Sequence, residues 1–340
     1  MQNIDIVFSI DENYIKHCAT VIVSILKNTN TKKKIRFHII TEFISERNRN
    51  KLLKLKKIKD FDLFFYKISK EKISDFPLYR DWISIACYYR MLIPDILPPD
   101  IKKCLYLDCD LICLKDIEEL WNYDIDNYYL GAVKDIASEH YNKCLGFPKD
   151  HDYYNTGVML LNLNKLREIN FFDKCIKYCE LHKDIVNAQD QDIINGVLCE
   201  QCLMLPLIWN ICTPLYHNIT KAYRNLDPSL KEEIYNNAGI VHFVNIYKPW
   251  VWYTKHPFKD AYWKYFALTP FKFEYFIHLV KKVLMFVVKF EKYQNGKKTK
   301  SLDFYLFNYN VLSYQKYNNI KEVKVFGIIK QKKTKRNQNK

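Results

Sequence analysis

The 340-residue chain contains little glycine: seven residues, at 131, 146, 157, 196, 239, 296 and 327, the closest two eleven residues apart. Dinucleotide fingerprints and P-loops need several glycines within about six residues, so that phosphate can reach the backbone. Neither motif can exist here. A nucleotidyltransferase that holds a triphosphate on a glycine-rich loop is excluded for the same reason. Any phosphate must therefore be met by a metal or by cationic side chains.

Long hydrophobic runs are missing as well. No apolar stretch approaches the roughly 18 residues of a membrane-spanning helix, so none is expected. Cys199-Glu200-Gln201-Cys202 has no second pair at matching spacing, which argues against a four-cysteine zinc site. The eleven cysteines are odd in number and scattered. The start, Met1-Gln2-Asn3-Ile4-Asp5, is polar and runs into a strand pattern instead of a secretory leader. Reduced, inert thiols in a cytoplasmic protein are expected.

Acidic charge is scarce only at one end. Residues 281–340 hold 16 Lys and Arg against 3 Asp and Glu, so +13 of the formal +15 lies there. The first 280 residues are nearly neutral, 37 basic against 35 acidic. A nucleic-acid reading of the high pI thus applies to the tail alone, and nucleic acid is not the expected partner.

What is present alternates. Ile4–Phe8 reads as a buried strand, Asp11 as a helix N-cap, and Tyr14–Leu26 as a helix. Ile35–Ile40 reads as a strand, Ser45–Ile58 as a basic amphipathic helix, and Phe61–Tyr66 as a strand. Trp82–Leu92 has helical spacing that ends at Pro94, and Cys104–Leu107 is a short strand. Further strands are expected at Tyr129–Val133, Val158–Leu163 and Ile240–Val244, and helices at Leu166–Leu181 and Asp190–Cys199. This is the pattern of an α/β domain with a mostly parallel central sheet. The pattern changes near residue 265, which predicts a catalytic domain over 1–267 and a basic, aromatic, helical segment over 268–340 with a disordered end.

The strongest local signal is Leu105-Tyr106-Leu107-Asp108-Cys109-Asp110. Two carboxylates at i and i+2 after an apolar strand can converge on one cation at the sheet's carboxyl edge. Their oxygens suit Mg²⁺ or Mn²⁺. An isolated pair of this kind is also a common acidic turn. Val241-His242-Phe243 adds an imidazole at the end of a second strand, and a carboxylate–carboxylate–imidazole set favours Mn²⁺. Lys248-Pro249-Trp250 follows, where a lysine can reach a diphosphate.

Seven segments in order resemble glycosyltransferase family 8, the family of bacterial lipopolysaccharide galactosyl- and glucosyltransferases and, more distantly, of glycogenin. They are Ile6–Tyr14, Ile35–Ile39, Ser84–Arg90, Leu105–Asp110, Tyr154–Val158, Gln189–Gly196 and His242 to Trp250. The resemblance covers about residues 1–260 and implies a GT-A-type fold and retaining hexosyl transfer from a UDP-sugar to a saccharide or lipid-linked saccharide acceptor. It implies Mn²⁺, with Mg²⁺ as the second choice, on Asp108, Asp110 and His242. Asp11, Asn13 and Tyr14 are then expected at the uridine, Asp108 at the ribose too, with Cys109 beside it. Arg90, Asn155, Asp190 and Gln191 are expected around the donor sugar, Asp190 and Gln191 as the catalytic pair, and Lys248 at the diphosphate. Asn245 stands where the family usually has glycine.

Some neighbours have simpler explanations. Asp192 and Asn195 suit the N-terminal turns of a helix. The tail, Phe271–Phe290 above all, pairs large apolar groups with lysines and predicts attachment to an anionic membrane, on the inner face of the cytoplasmic membrane. The competing reading is a basic membrane- or RNA-binding protein with a degenerate transferase domain.

Overall fold

The computed structural model describes residues 3–73, 76, 85–135, 138–148, 150–198, 201–216, 225–245, 248–251, 254–274 and 276, and the strands of a C-terminal sheet at 286–294, 297–306, 309–317, 320–325 and 328–334. The chain divides into two compact units, Met1–Phe271 and Lys272–Lys340.

Among its described residues the first unit has ten strands: β1 (Ile4–Ser9), β2 (Ile35–Thr41), β3 (Asp62–Lys67), β4 (Lys103–Leu107), β5 (Leu111–Cys113), β6 (Leu130–Lys134), β7 (Tyr154–Asn162), β8 (Cys202–Met204), β9 (Ile211–Cys212) and β10 (Ile240–His242). Seven form one sheet in the order β3-β2-β1-β4-β7-β6-β8, in which β7 alone runs against its neighbours. The α/β class and the mostly parallel sheet are as expected. A near-continuous apolar strand such as Ile4-Asp5-Ile6-Val7-Phe8 suits a parallel sheet covered on both faces. All five of those residues are buried. Burying an Ile, Val or Phe side chain contributes about 1.5–3 kcal/mol, and the strands supply many.

Two of the strands, β5 and β9, are too short to read from periodicity, while β10 lies within the strand expected at Ile240–Val244. β5, β10 and β9 form a second, small sheet, with His242 level with Leu111 on one side and Cys212 on the other. This sheet carries His242 to the acidic pair.

The helices follow the spacing with instructive exceptions. Ile15–Asn28 buries eleven of its fourteen residues because it packs on both β5 and the Lys259–Phe266 helix. The expected Leu166–Leu181 helix is two, Leu163–Glu168 and Phe171–Leu181, broken where Asn170 adopts a left-handed φ of 48°. Ile85–Leu92 is a 3₁₀-helix, residues 82–84 lying outside the described residues. Pro94 does not stop it but opens the next turn, Ile93–Ile96, where a missing N–H costs nothing. In the Asp190–Val197 helix, Gly196 lets the Tyr178 ring lie against the backbone; a Cβ there would stand 1.9 Å from that ring.

The second unit departs from the expected helical segment. Among the described residues of this unit, helix occurs at 272–274 and 276; residues 277–285, part of the expected helix, and 335–340 lie outside the described residues. Five antiparallel strands follow instead: β11 (Phe286–Gln294), β12 (Lys297–Leu306), β13 (Tyr309–Tyr317), β14 (Ile320–Val325) and β15 (Ile328–Thr334), in sequential order. The intervals between them, Asn295-Gly296, Phe307-Asn308, Asn318-Asn319 and Phe326-Gly327, are each two residues long and contain Asn or Gly. That is a hairpin signature, which the mixed lysine and aromatic composition of the segment obscures.

Candidate active site

A cleft of about 620 Å³ opens at the carboxyl edge of the main sheet. The turns after β1 and β4, the start of β7, the head of the Asp190–Val197 helix and the end of β10 all border it. Every residue expected from the sequence at donor or metal lines this one cleft: Asp11, Asn13, Tyr14, Arg90, Asp108, Cys109, Asp110, Asn155, Asp190, Gln191, His242 and Lys248.

Asp108, Asp110 and His242 each offer a ligand atom, all within 4.8 Å of one another. His242 Nε2 lies 3.1 Å from Asp110 Oδ1 and 3.7 Å from Asp108 Oδ2. The other Asp108 oxygen is occupied. It accepts from Tyr106 Oη at 2.7 Å and from Arg90 Nη2 at 2.8 Å. Asp110 Oδ2 meets the Lys248 ammonium directly. Burial alone would raise the Asp110 carboxyl, but Lys248 and His242 outweigh it and hold the group well below the usual carboxylate range. The three side chains fit a divalent cation. Two oxygens and one imidazole converge from two segments, the turn after β4 and the end of β10, and the space they face is kept open by Gly157. A Cβ on Gly157 would stand 2.2 Å from His242 Cε1 and 2.8 Å from Asp108 Oδ2.

Arg90 joins this set to Asp190. It is 7% exposed, and its guanidinium bridges Asp108 and, through Nε at 3.1 Å, Asp190. Nη1 donates to the Thr156 carbonyl at 2.9 Å. Asp190 is 6% exposed. Burial, helped by repulsion from Asp108, pushes its carboxyl up to about 6 against the opposing pull of Arg90. Gln191 Oε1 accepts from Asn155 Nδ2 at 3.0 Å and from the Thr156 N–H at 3.3 Å, while its Nε2 donates to Asp135 at 3.3 Å.

At the opposite end, Asp11 caps the Glu12–Tyr14 turn by accepting from the Asn13 and Tyr14 N–H groups. Lys248 sits on a segment anchored by aromatic packing. Trp250 stacks on His17 with ring centroids 3.6 Å apart, and Trp263 Nε1 donates to the Pro249 carbonyl. Burial and the neighbouring Lys16 push His17 down to about 3, so the stacked ring is neutral. Asn245 adopts a left-handed φ of 60°, a conformation that asparagine tolerates better than most residues. Cys109 lines the cleft with a thiol that burial holds well above its ordinary value.

The description "Glycosyl transferase family 8" matches residues 5–252. The chain belongs to glycosyltransferase family 8. A Haemophilus influenzae protein named as a glycosyltransferase is 36% identical over 200 residues, 58% of this chain and 59% of that one. The lipopolysaccharide 1,2-glucosyltransferase of Escherichia coli K12 is 25% identical over 252 residues, 73% of this chain and 72% of that one. The crystal structure of the galactosyltransferase LgtC with donor and acceptor sugar analogues superposes with a TM-score of 0.69 at 27% identity, over 78% of this chain and 96% of that one.

For a family 8 glycosyltransferase, Asp135 in the cleft and Asn210 beside its His242 could not be read from the sequence. Asp135 accepts from both Asn155 and Gln191 at 3.3 Å, and a lone aspartate after a strand gives no signal. Asn210 contacts His242 from 32 residues away. Asp192 and Asn195 are structural in the transferase, as expected. Asp192 accepts from the Asn187 and Ala188 N–H groups and from Tyr153 Oη, and Asn195 pairs with the Tyr154 backbone.

Proposed function

We propose that this family 8 enzyme is a retaining hexosyltransferase that moves galactose or glucose from a UDP-sugar to a saccharide acceptor, in lipopolysaccharide or lipooligosaccharide core synthesis. The observation that carries the reading is the joining of Asp108, Asp110 and His242 to a polar pocket of Arg90, Asp190 and Gln191 within one cleft. Mn²⁺ suits the mixed oxygen and nitrogen donor set best. When bound, it offsets the negative charge that develops on the β-phosphate as UDP departs. Lys248 adds a second positive charge beside Asp110 for the same purpose. Asp190 and Arg90 orient the hexose and fix its reactive pose.

Retention by double displacement needs a nucleophile on the face opposite the leaving group. Gln191 is a neutral amide whose Oε1 already accepts two hydrogen bonds. The reading is therefore front-side return: the departing phosphate takes the acceptor proton, and Gln191 stabilises oxocarbenium-like charge. Gln191→Ala is expected to lower kcat about 10- to 100-fold with the anomeric configuration of the product kept, as determined by NMR. Complete loss of turnover in a folded variant that still binds UDP-sugar points to a covalent role instead.

The test of the whole reading is hydrolysis of a panel of UDP-hexoses without acceptor, with and without Mn²⁺. Turnover of one hexose that disappears with chelator supports it. No metal-dependent turnover of any UDP-hexose overturns it and favours the basic membrane- or RNA-binding alternative.

The tail is read as the site of attachment to an anionic membrane that carries the acceptor. Strand register aligns Lys300, Lys316, Lys321 and Lys333 across four adjacent strands. An anionic surface attracts each basic residue near it by about 1 kcal/mol. Truncation after Phe271 is expected to move the protein from the membrane fraction to the supernatant, with activity on soluble acceptors kept within about twofold. An unchanged fractionation defeats the membrane reading.

A further inference from the structure

We infer that Asn210 is a positioning residue that sets His242 as a cation ligand. The inference rests on the reading of Asp108, Asp110 and His242 as a metal site. Asn210 lies just before β9, is 2% exposed, and reaches His242 on the ring's Nδ1 side, with Oδ1 2.9 Å from Nδ1. Its Nδ2 donates to Asn155 Oδ1 at 2.8 Å.

The orientation of the amide follows from the backbone. Asn155 Oδ1 accepts the Gly157 N–H at 3.0 Å, and a backbone N–H can only donate. The atom facing it is therefore the Asn155 oxygen. Asn210 must then present its NH₂ to that oxygen, which turns its own carbonyl oxygen toward His242. A carbonyl can only accept, so His242 Nδ1 carries a proton. A neutral imidazole with a protonated Nδ1 has its lone pair on Nε2, the atom that faces Asp110 and Asp108. One glycine N–H thus determines, through two side-chain amides, which nitrogen of His242 is free to bind a cation.

The same two amides connect the ends of the cleft. Asn155 Nδ2 donates to Gln191 and to Asp135. All the polar atoms of Asn155 are engaged by protein groups, so its place among the sugar-pocket residues is that of a connector.

Outer partners of a ligating histidine are worth about 10- to 100-fold in metal affinity. The test is Mn²⁺ and Mg²⁺ binding by titration calorimetry on the full chain, with thermal melts to check folding. Asn210→Leu is expected to weaken Mn²⁺ binding by about that factor. Mg²⁺ binding should fall less, because the carboxylates remain and the nitrogen ligand is what favours Mn²⁺. Asn210→Asp keeps an acceptor for Nδ1–H while it turns the donor to Asn155 into an acceptor and adds a charge; because the carboxylate still holds the Nδ1 proton, it should bind Mn²⁺ within about threefold of the wild type. Asn210→Ala serves as a second truncation if leucine unfolds the chain. Wild-type Mn²⁺ affinity in folded Asn210→Leu or Asn210→Ala overturns the inference while the metal site stands. Equal losses in the leucine and aspartate variants also overturn it, since a merely structural amide would show that result. A wild-type chain that binds no Mn²⁺ removes the metal site itself, and the inference with it.

Discussion

Gly157→Ala is expected to abolish transfer while the protein stays folded. The added Cβ would stand 2.2 Å from His242 Cε1, 2.9 Å from His242 Nδ1 and 2.8 Å from Asp108 Oδ2. None of these neighbours can withdraw freely. His242 is held by Asn210 on one side and sits in the small sheet at 3% exposure. Asp108 is held by Tyr106 and Arg90. The backbone of β7 cannot retreat either, since the Gly157 carbonyl accepts the Asp108 N–H at 2.8 Å. Overpacking of this kind costs about 1–3 kcal/mol of stability, which lowers Tm by a few degrees without unfolding a chain of this size. The cost to catalysis is larger, because His242 and Asp108 must separate from a common point. Activity is expected below about 1% of wild type, with Mn²⁺ affinity lost in parallel. Thermal melts and Mn²⁺ titration on the purified variant check both halves. A variant with normal metal affinity and activity shows that the three ligand positions do not act together.

Asp110→Asn should produce the second large effect, a fall in kcat of about a thousandfold, the scale on which loss of a charge-stabilising group acts. Asp110 is the residue on which the site's electrostatics converge. It meets His242 through one oxygen and Lys248 through the other. An amide removes a negative ligand and leaves the Lys248 ammonium without its counter-charge, so the variant should bind UDP alone about as well as wild type and lose the metal-dependent increment. Calorimetry of UDP binding at matched Mn²⁺ concentrations separates the two. An Asp110→Asn protein that keeps its metal-dependent UDP affinity shows that the cation is held elsewhere.

The two variants also separate what could be read along the chain from what could not. Asp108 and Asp110 stand out in sequence because two carboxylates at i and i+2 after an apolar run are local chemistry. Gly157 stands out only as one of seven glycines, and its reason is a contact with residues 49 positions before and 85 after it. The parallel sheet was legible for the same reason as the acidic pair, because its signals are local: β1, β3 and β4 are largely apolar runs bounded by polar residues, and β2 alternates. The small sheet was legible only at β10, since β5 and β9, three and two residues long, have no period to detect. The C-terminal sheet was not legible, because lysine recurs so often there that alternation and helical spacing cannot be told apart.

Composition and order alone determined the class of chemistry. Scarce glycine excluded backbone cradles for phosphate, and the spacing of Asp108, Asp110, His242 and Lys248 supplied the alternative of metal and lysine. The tertiary structure decided which atoms face the cleft. Asp135, Asn210 and Gly157 entered the site only through β6, β9 and β7, and the proton on His242 is settled by a backbone N–H 85 residues away. A hydrogen-bond network of this kind depends on donor and acceptor directions across strands that are distant in sequence. Such directions exist only once the strands are paired.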